Sequence, residues 1–151
     1  MQHSQTYRRY PSVPRIGVGV LVLHGSEVLL VKRGQEPAKG EWSVPGGLVE
    51  LGESVKEAAH REVREECNIH INLIKQIELF EFIEKDEKKS IKYHYVILDF
   101  LAEYVDGEPY ASSDVSDTQW VQVSDLDRMD CNASIKKLVQ KAFKQYRLLG
   151  G

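Results

Sequence analysis

The sequence predicts an α+β fold in which a mixed β-sheet is sandwiched between helices. Two short apolar runs near the N-terminus and two long ones in the middle have the β-branched character of strands. Amphipathic helices are indicated at residues 55–67 and 132–148. Two helices are too few for a doubly wound parallel sheet. We therefore expect an N-terminal arm at residues 1–15 and a single domain at residues 16–149.

The composition excludes several broad classes of protein. The 151 residues include 20 Lys and Arg against 23 Asp and Glu, a formal net charge of −3. This balance argues against a nucleic acid polymer as partner and against a basic membrane-surface helix. The longest nearly unbroken apolar run, residues 16–23, is too short to span a bilayer. Cys67 and Cys131 lie far apart without a CxxC pattern, so we expect buried thiols and a cytoplasmic protein.

The first half of the domain is predicted to contain a hairpin, a loop and a short extended segment. Residues 16–23 and 27–32 are two strand-like runs separated by a His-Gly-Ser turn. Two glycines and a proline indicate a loop at residues 33–41. The extended segment at residues 42–44 is expected to end at the Pro-Gly-Gly of residues 45–47.

The clearest helix covers residues 55–67. Ser54 and Glu57 have the S-x-x-E spacing of a capping box, which predicts where the helix begins. Asn68 is expected to end it, because asparagine tolerates the left-handed conformation that terminates many helices. The apolar stripe that would face the core consists of Val55, Ala58, Ala59 and Val63.

The second half of the chain is predicted to contain three strands and a terminal helix. Residues 69–83 and 91–104 are long strand-like runs joined by a polar turn at residues 86–89. A short strand follows at residues 118–123. Apolar residues at helical spacing then predict a helix at residues 132–148.

Acidic side chains concentrate around the first helix. Glu62, Glu65 and Glu66 lie at positions i, i+3 and i+4, so they share one helix face although their charges repel. Glu53 precedes the helix, and the glycine pair that starts at Gly46 can turn a backbone carbonyl toward the same place. A set of carboxylate and carbonyl oxygens without His or Cys suits a hard cation such as Mg²⁺ or Mn²⁺.

This segment resembles the Nudix box, G-x5-E-x7-R-E-U-x-E-E-x-G-U, where U is a bulky aliphatic residue. Gly47 opens the box, Glu53 is the spaced acid, residues 61–66 form the core and Ile69 closes it. Asn68 replaces the second glycine and can adopt the same left-handed turn, so we expect the loop–helix–loop to form. The resemblance implies a Nudix fold and hydrolysis of a diphosphate.

The resemblance also implies which residues hold the metal. Glu62, Glu65 and Glu66 are the expected ligands of Mg²⁺, for which Mn²⁺ can substitute, and Glu66 is the firmest choice. The Gly46 carbonyl is expected to join them. Glu62 and Glu65 are also expected to take part in catalysis. A structural alternative is a solvated acidic helix held by Glu57–Arg61 and Arg61–Glu65 ion pairs.

Arg61 and Glu53 are the other two expected catalytic residues. The resemblance implies that Arg61 orients the acids through a salt bridge with Glu53. It leaves the general base open between Glu62 in the box and a residue in a later loop, where Asp114 and Asp117 are the candidates. The alternative for both aspartates is that they are ordinary turn residues.

Substrate contacts are predicted outside the box as well. Arg33 follows the second strand and is placed to reach a phosphate, the alternative being a solvated strand end. Trp42 is one of several aromatic residues that either stack on a base or fill the core. His94 either contacts a phosphate or ribose, or is packed in a strand. The other aromatic residues are Phe80, Phe82, Tyr93 and Tyr95; the substrate-binding set is Arg33, Trp42, Gly47, His94 and Asp114.

Segments outside the box narrow the expected substrate. Residues 15–20, 42–47, 93–100 and 120–121 resemble a bacterial Nudix subgroup described as ADP-ribose pyrophosphatase-like. That resemblance implies a Mg²⁺-dependent pyrophosphohydrolase acting on a nucleoside diphosphate linked to another moiety, with ADP-ribose giving AMP and ribose 5-phosphate. The alternatives are a MutT-type (d)NTP pyrophosphatase that releases pyrophosphate, and a non-catalytic nucleotide sensor. The expected partner is a small nucleotide, and the arm is compatible with a homodimer.

Overall fold

A single mixed sheet organises the described part of the chain. The computed structural model describes residues 9–36 and 38–151, and seven strands lie in one sheet within these ranges. The strands are β1 (Arg15–His24), β2 (Glu27–Arg33), β3 (Trp42–Ser43), β4 (Gly46–Leu48), β5 (His70–Lys85), β6 (Ile91–Asp106) and β7 (Val115–Gln122). The helices are α1 (Val55–Cys67), α2 (Ala133–Leu148) and a 3₁₀ helix (Val123–Arg128).

Strand β1 is the centre of the sheet. One edge pairs in parallel with β6 along nine residues. Its other edge is shared, since β2 pairs with it at Leu23 and His24 while β4 pairs with it at Gly17, Val18 and Gly19. Beyond the hairpin turn, β2 therefore diverges from β1 and pairs with β7 and β3. The divergence leaves room beside β1 for β4, which leads toward α1.

The two faces of the sheet each have a hydrophobic core, and each core is covered by one helix. Successive side chains of a strand point to opposite faces. In β1, Val20 and Val22 pack in the cluster that contains the buried stripe of α1. Leu21 and Leu23 pack in the cluster that contains Val139 and other residues of α2. The sheet is thus sandwiched between helices, as the sequence predicts.

The predicted hairpin and both helices are confirmed, and so are the signals at the ends of α1. The Ser54 hydroxyl accepts from the Glu57 N–H, and the Glu57 carboxylate accepts from the Ser54 N–H. Asn68 ends the helix with φ 60° and ψ 34°, the left-handed conformation expected of it. Both Cys67 and Cys131 are buried thiols.

Two segments differ from the sequence prediction because of pairing partners elsewhere in the chain. Gly46 and Gly47 do not end an extended segment as a turn but belong to β4, since they pair with β1. Strand β7 begins at Val115 rather than at residue 118, because it pairs with β2 as far as Arg33. Asp117 consequently lies on a strand, whereas Asp114 lies in the loop before it.

The predicted boundary between arm and domain stays a prediction, because residues 1–8 lie outside the described residues. Residues 9–14 form no helix or strand. The Tyr10 N–H donates to the Lys92 carbonyl, and the Tyr10 hydroxyl donates to Asp86, so this segment contacts the β5–β6 hairpin. Among the described residues, no helix has the length and apolar character needed to cross a membrane.

The left-handed end of α1 allows a test of the fold. Replacement of Asn68 by Ala should lower the free energy of unfolding by about 1 kcal/mol, because alanine lacks the short polar side chain that makes asparagine more tolerant of positive φ. The Asn68→Gly variant is the matched control and should unfold at higher urea concentration than Asn68→Ala, although both lose the hydrogen bond to the Glu108 carbonyl. Equal urea midpoints for the two variants would contradict the assigned backbone strain.

Candidate active site

The guanidinium of Arg61 donates hydrogen bonds to acidic side chains of α1 and of the loop before it. Its Nε and Nη2 donate to the two carboxylate oxygens of Glu53 at 2.6 and 2.9 Å. Nη1 donates to Glu62 at 2.8 Å and to Glu65 at 3.2 Å. Nη2 also donates to the Leu48 carbonyl at 3.0 Å, which joins α1 to β4. Hydrogen bonding between the two groups lowers the pKa of Glu53 and raises that of Arg61.

Glu66 is one of the two buried acids of the helix, with Glu62. The Gly46 N–H donates to its Oε1 at 2.9 Å, so the side chain connects α1 to β4. Burial raises the pKa of Glu66 to about 8, and the nearby carboxylates of Glu62 and Asp114 act in the same direction. Such a group is stabilised in its charged form by a nearby cation.

Glycine at position 47 makes room for the carboxylate of Glu62. A β-carbon at Gly47 would lie 2.5 to 2.6 Å from the carboxylate atoms of Glu62, closer than real contacts allow. Gly46 is equally constrained, because its β-carbon would overlap the Val18 carbonyl across the β1–β4 pair. Gly46 is therefore required for the close pairing of β4 with β1, and Gly47 leaves room for the Glu62 carboxylate where it lies.

An open cavity brings together most of the residues that the sequence predicts. Glu53 and Gly47 lie outside its lining, but Glu53 bonds to Arg61 and Gly47 contacts Glu62. The predicted residues that line it are Arg33, Gly46, Arg61, Glu62, Glu65, Glu66 and Asp114. Sequence reasoning missed Gln35, Glu36 and Ser113, whose only signal is their position beside Arg33 and Asp114.

The loop before β7 is fixed to both sides of the cavity. The Gly34 N–H donates to the Asp114 carbonyl, and Gln35 Nε2 donates to Asp114 Oδ1 at 3.1 Å. The Ser112 N–H donates to the Glu66 carbonyl at the end of α1. Of the two aspartates considered as general base, Asp114 lines the cavity and Asp117 does not. Asp117 lies on β7 opposite Lys32 and caps the N–H of its neighbour, Thr118.

Besides Gly47, two residues of the predicted substrate-binding set do not line the cavity. Trp42 packs against the hydrophobic core on the α2 side of the sheet. His94 lies on β6 opposite Ile83, in the outer half of the long β5–β6 ribbon. The rings of Phe82, Tyr93 and Tyr95 cluster on this ribbon instead of stacking over the acids.

The side chains of the acidic face do not converge as a ready-made cation site. Among residues 9–36 and 38–151, no group of three His, Cys, Asp or Glu side chains is arranged to hold a metal ion. The reason is visible in the hydrogen bonds, because Arg61 holds Glu53, Glu62 and Glu65 while Gly46 holds Glu66. The donor set nevertheless fits a hard divalent cation, since the buried carboxylates of Glu62 and Glu66 supply only oxygen ligands.

The comparison with known families agrees with this site. The NUDIX domain family model matches residues 13–145, which include all seven described strands, helix α1 and the whole acidic segment. The chain belongs to the Nudix family. Members of this hydrolase family act on pyrophosphate bonds, so the cavity beside the Nudix helix α1 is the candidate active site.

Curated relatives carry more than one name. A Methanocaldococcus jannaschii protein named ADP-ribose pyrophosphatase is 28% identical over 123 residues, which cover 82% of this chain and 70% of the relative. A Pseudomonas syringae pv. syringae protein named NAD-capped RNA hydrolase NudC is 32% identical over 147 residues. That match covers 90% of this chain but 46% of the relative, so this Nudix chain spans less than half of NudC.

Solved structures have the same fold. The NUDIX domain of Shewanella oneidensis NrtR, crystallised with ADP ribose, superposes with a TM-score of 0.71 at 21% identity, covering 89% of this chain and 90% of that one. A MutT NUDIX hydrolase from Burkholderia pseudomallei gives a TM-score of 0.68 at 27% identity, covering 86% and 98%. The Nudix architecture of the chain is therefore supported by topology as well as by sequence.

The geometry of Arg61 allows a stability test. Replacement by Lys should lower the free energy of unfolding by about 2 kcal/mol, because the three donors of one ammonium cannot replace the five hydrogen bonds that the planar guanidinium makes. Urea denaturation measures the difference. Arg128→Lys, at a side chain that is 85% exposed, is the control and should stay within about 0.5 kcal/mol of wild type. A loss no larger at Arg61 than at Arg128 would show that the fork geometry contributes nothing.

Proposed function

We propose that this Nudix chain is a divalent-metal-dependent pyrophosphohydrolase that cleaves ADP-ribose to AMP and ribose 5-phosphate. The observation that carries the proposal is the pair of buried carboxylates, Glu62 and Glu66, in a cavity that also contains Arg33. Charges of both signs at one cavity suit a metal–diphosphate complex, which itself combines cationic and anionic parts. The relative named ADP-ribose pyrophosphatase supports the choice of substrate.

The metal would be held by oxygen ligands from α1 and β4. Nudix hydrolases generally use a divalent metal such as Mg²⁺. We assign Glu62, Glu65 and Glu66 as ligands, with the Gly46 carbonyl as a further donor, and Mn²⁺ is expected to substitute. When bound, the metal would neutralise the diphosphate and activate water for attack on phosphorus.

Other residues of the chain would position the substrate and move the proton. Arg33, whose charge reaches Glu66 across the cavity, would bind a phosphate oxygen. Glu62 is assigned as the general base, and Asp114 is the alternative because it also lines the cavity. Arg61 and Glu53 are positioning residues in this scheme, since their mutual pair fixes the direction in which Glu62 points.

A second candidate is a MutT-type pyrophosphatase that releases pyrophosphate from a (d)NTP. The Burkholderia pseudomallei MutT structure is 27% identical and covers 86% of this chain. Both reactions require a metal and a water at the same carboxylates, so the acidic site does not discriminate between them. Product identity does, because ADP-ribose yields AMP without pyrophosphate.

A substrate panel with product identification tests the proposed function. The panel contains ADP-ribose, NAD, NAD-capped RNA and a set of nucleoside triphosphates, each incubated with the chain and Mg²⁺. We expect AMP and ribose 5-phosphate as the products of ADP-ribose. We also expect this activity to stop in EDTA and to return when Mg²⁺ or Mn²⁺ is added. Pyrophosphate release from a triphosphate with no AMP from ADP-ribose would favour the MutT reaction. Inactivity on every substrate would contradict the proposed hydrolysis and favour the alternative of a non-catalytic nucleotide sensor.

Replacement of a single oxygen ligand tests the assigned site. Glu66→Gln should lower kcat by roughly 100-fold or more, because an amide oxygen is a poor ligand for a divalent cation. The variant should remain folded, since its amide oxygen can still accept from the Gly46 N–H. Glu87→Gln, in the exposed turn between β5 and β6, is the matched control and should keep wild-type kcat. Wild-type turnover by Glu66→Gln in saturating Mg²⁺ would refute the metal role.

A further inference from the structure

The outer half of strand β5 is exposed on both of its faces. Residues 79–85 are all exposed, whereas the inner half of the strand buries Ile71 and Ile77. Within the described part of the chain, neither of the two hydrophobic cores includes a residue of β5 beyond Ile77. The helices that cover these cores therefore do not cover residues 79–85, which we call the outer half of β5.

Large apolar side chains lie on both faces of this outer half. Leu79 and Ile83 point to one face and Phe80 and Phe82 to the other, because successive residues of a strand alternate. All four residues are between 36% and 53% exposed. Together they present roughly 350 Å² of apolar surface, as much as the largest patch on many monomers. Contiguous apolar patches of this size commonly mark interaction sites.

Strand β5 also has an edge that no other strand covers. Among the described residues it pairs only with β6, at one end of the sheet. An exposed edge of this kind accepts a further strand through main-chain hydrogen bonds. A small ligand would cover one face of β5 only, whereas an added strand extends both faces at once. The apolar residues on both faces therefore favour a strand as the occupant.

The side chains of β5 match those of a second copy of the same strand. We consider two β5 strands that pair antiparallel about a two-fold axis at Glu81. Leu79 then lies opposite the partner's Ile83, and Phe80 lies opposite the partner's Phe82. Opposed residues share a face, so apolar side chains meet on both faces. An axis at Phe80 would place Glu81 opposite Leu79, and an axis at Phe82 would place it opposite Ile83.

Such a pair of strands forms a closed assembly of sufficient size. The two-fold axis uses the β5 edge of both copies, and β3 at the far end of the strand order has only two residues, so no long edge is left for further growth. The four apolar side chains and the exposed polar side chains between them would bury roughly 600 Å² per copy. That area is about the lower limit of specific, stable interfaces.

We propose that two copies of this chain form a homodimer by antiparallel pairing of their β5 strands about an axis at Glu81. The inference assigns the interface to β5 rather than to the N-terminal arm. It is independent of the proposed function, because the outer half of β5 contributes no residue to the acidic cavity. The axis also places Glu81 beside the partner's Glu81, and like charges directly opposite each other weaken the pairing.

Sedimentation equilibrium of the full chain, from about 1 to 200 μM, tests the dimer. The wild-type chain should dimerise. Leu79→Lys should raise the dissociation constant about tenfold or more, because the two-fold axis repeats the lost apolar contact. Leu148→Lys, at a side chain of α2 that is 78% exposed, is the matched control and should dimerise like wild type. A monomeric wild-type chain, or a Leu79→Lys variant that dimerises like wild type, overturns the inference.

A double variant tests which residues lie opposite each other. Ile83→Glu alone should also weaken the dimer, but Leu79→Lys combined with Ile83→Glu places opposite charges at both cross-axis pairs and should restore most of the lost affinity. Within one chain the two positions are about 13 Å apart along the strand, so their side chains do not pair there. Urea unfolding checks that the variants are folded. A double variant that dissociates as readily as the single variants overturns the assigned pairing.

Replacement of the acid at the axis should strengthen the dimer. Glu81→Gln is expected to lower the dissociation constant about threefold, because it removes the like-charge pair. Asp127→Asn, at an exposed acid of the 3₁₀ helix, is the matched control for the change in net charge. Non-specific hydrophobic association would respond equally to both substitutions. A Glu81→Gln dimer that is no tighter than the Asp127→Asn dimer overturns the axis at Glu81.

Discussion

Convergence of four carboxylates on one guanidinium is the interaction on which the arrangement of the site depends. Glu53, Glu62 and Glu65 accept hydrogen bonds from Arg61, and Glu50 lies 3.8 Å from its Nη1. Without this cation, acids on one helix face and in the preceding loop would repel one another. The guanidinium also donates to the Leu48 carbonyl. The group that offsets the repulsion among the acids therefore also attaches α1 to β4.

The close contact between α1 and β4 depends on two glycines of β4, which have no side chains to keep the helix away. Glu62 lies against Gly47, and the N–H of Gly46 binds Glu66, so the two buried acids of α1 each contact one glycine of β4. The same two glycines pair with β1 on the other side. Strand β4 can therefore serve at once as a sheet strand and as one wall of the cavity. The early divergence of β2 from β1 provides the space in which it does so.

Glycines of the central strand β1 pair with β4 on one edge and with β6 on the other. On the α1 side, the acids meet β4 and the loop around Asp114. On the α2 side, Asp99 lies over Gly19, at the inner end of an apolar surface that the helix leaves exposed. Val44 contributes to both regions.

Local patterns in the sequence determined the family, the hairpin, both helices and the acidic cluster. Ser54, Glu57 and Asn68 act through neighbours within a few residues, so the ends of α1 followed from spacing alone. Tertiary structure decided the rest, because long-range pairing has no local signature. Pairing with β1 turned the expected Pro-Gly-Gly turn into strand β4. Pairing of β7 with β2 placed Asp117 on that strand and Asp114 in the loop at the cavity. Trp42 packs in the core on the α2 side of the sheet instead of at the cavity. Tertiary structure alone placed Asp99 over Gly19, since that contact joins strands eighty residues apart in the chain.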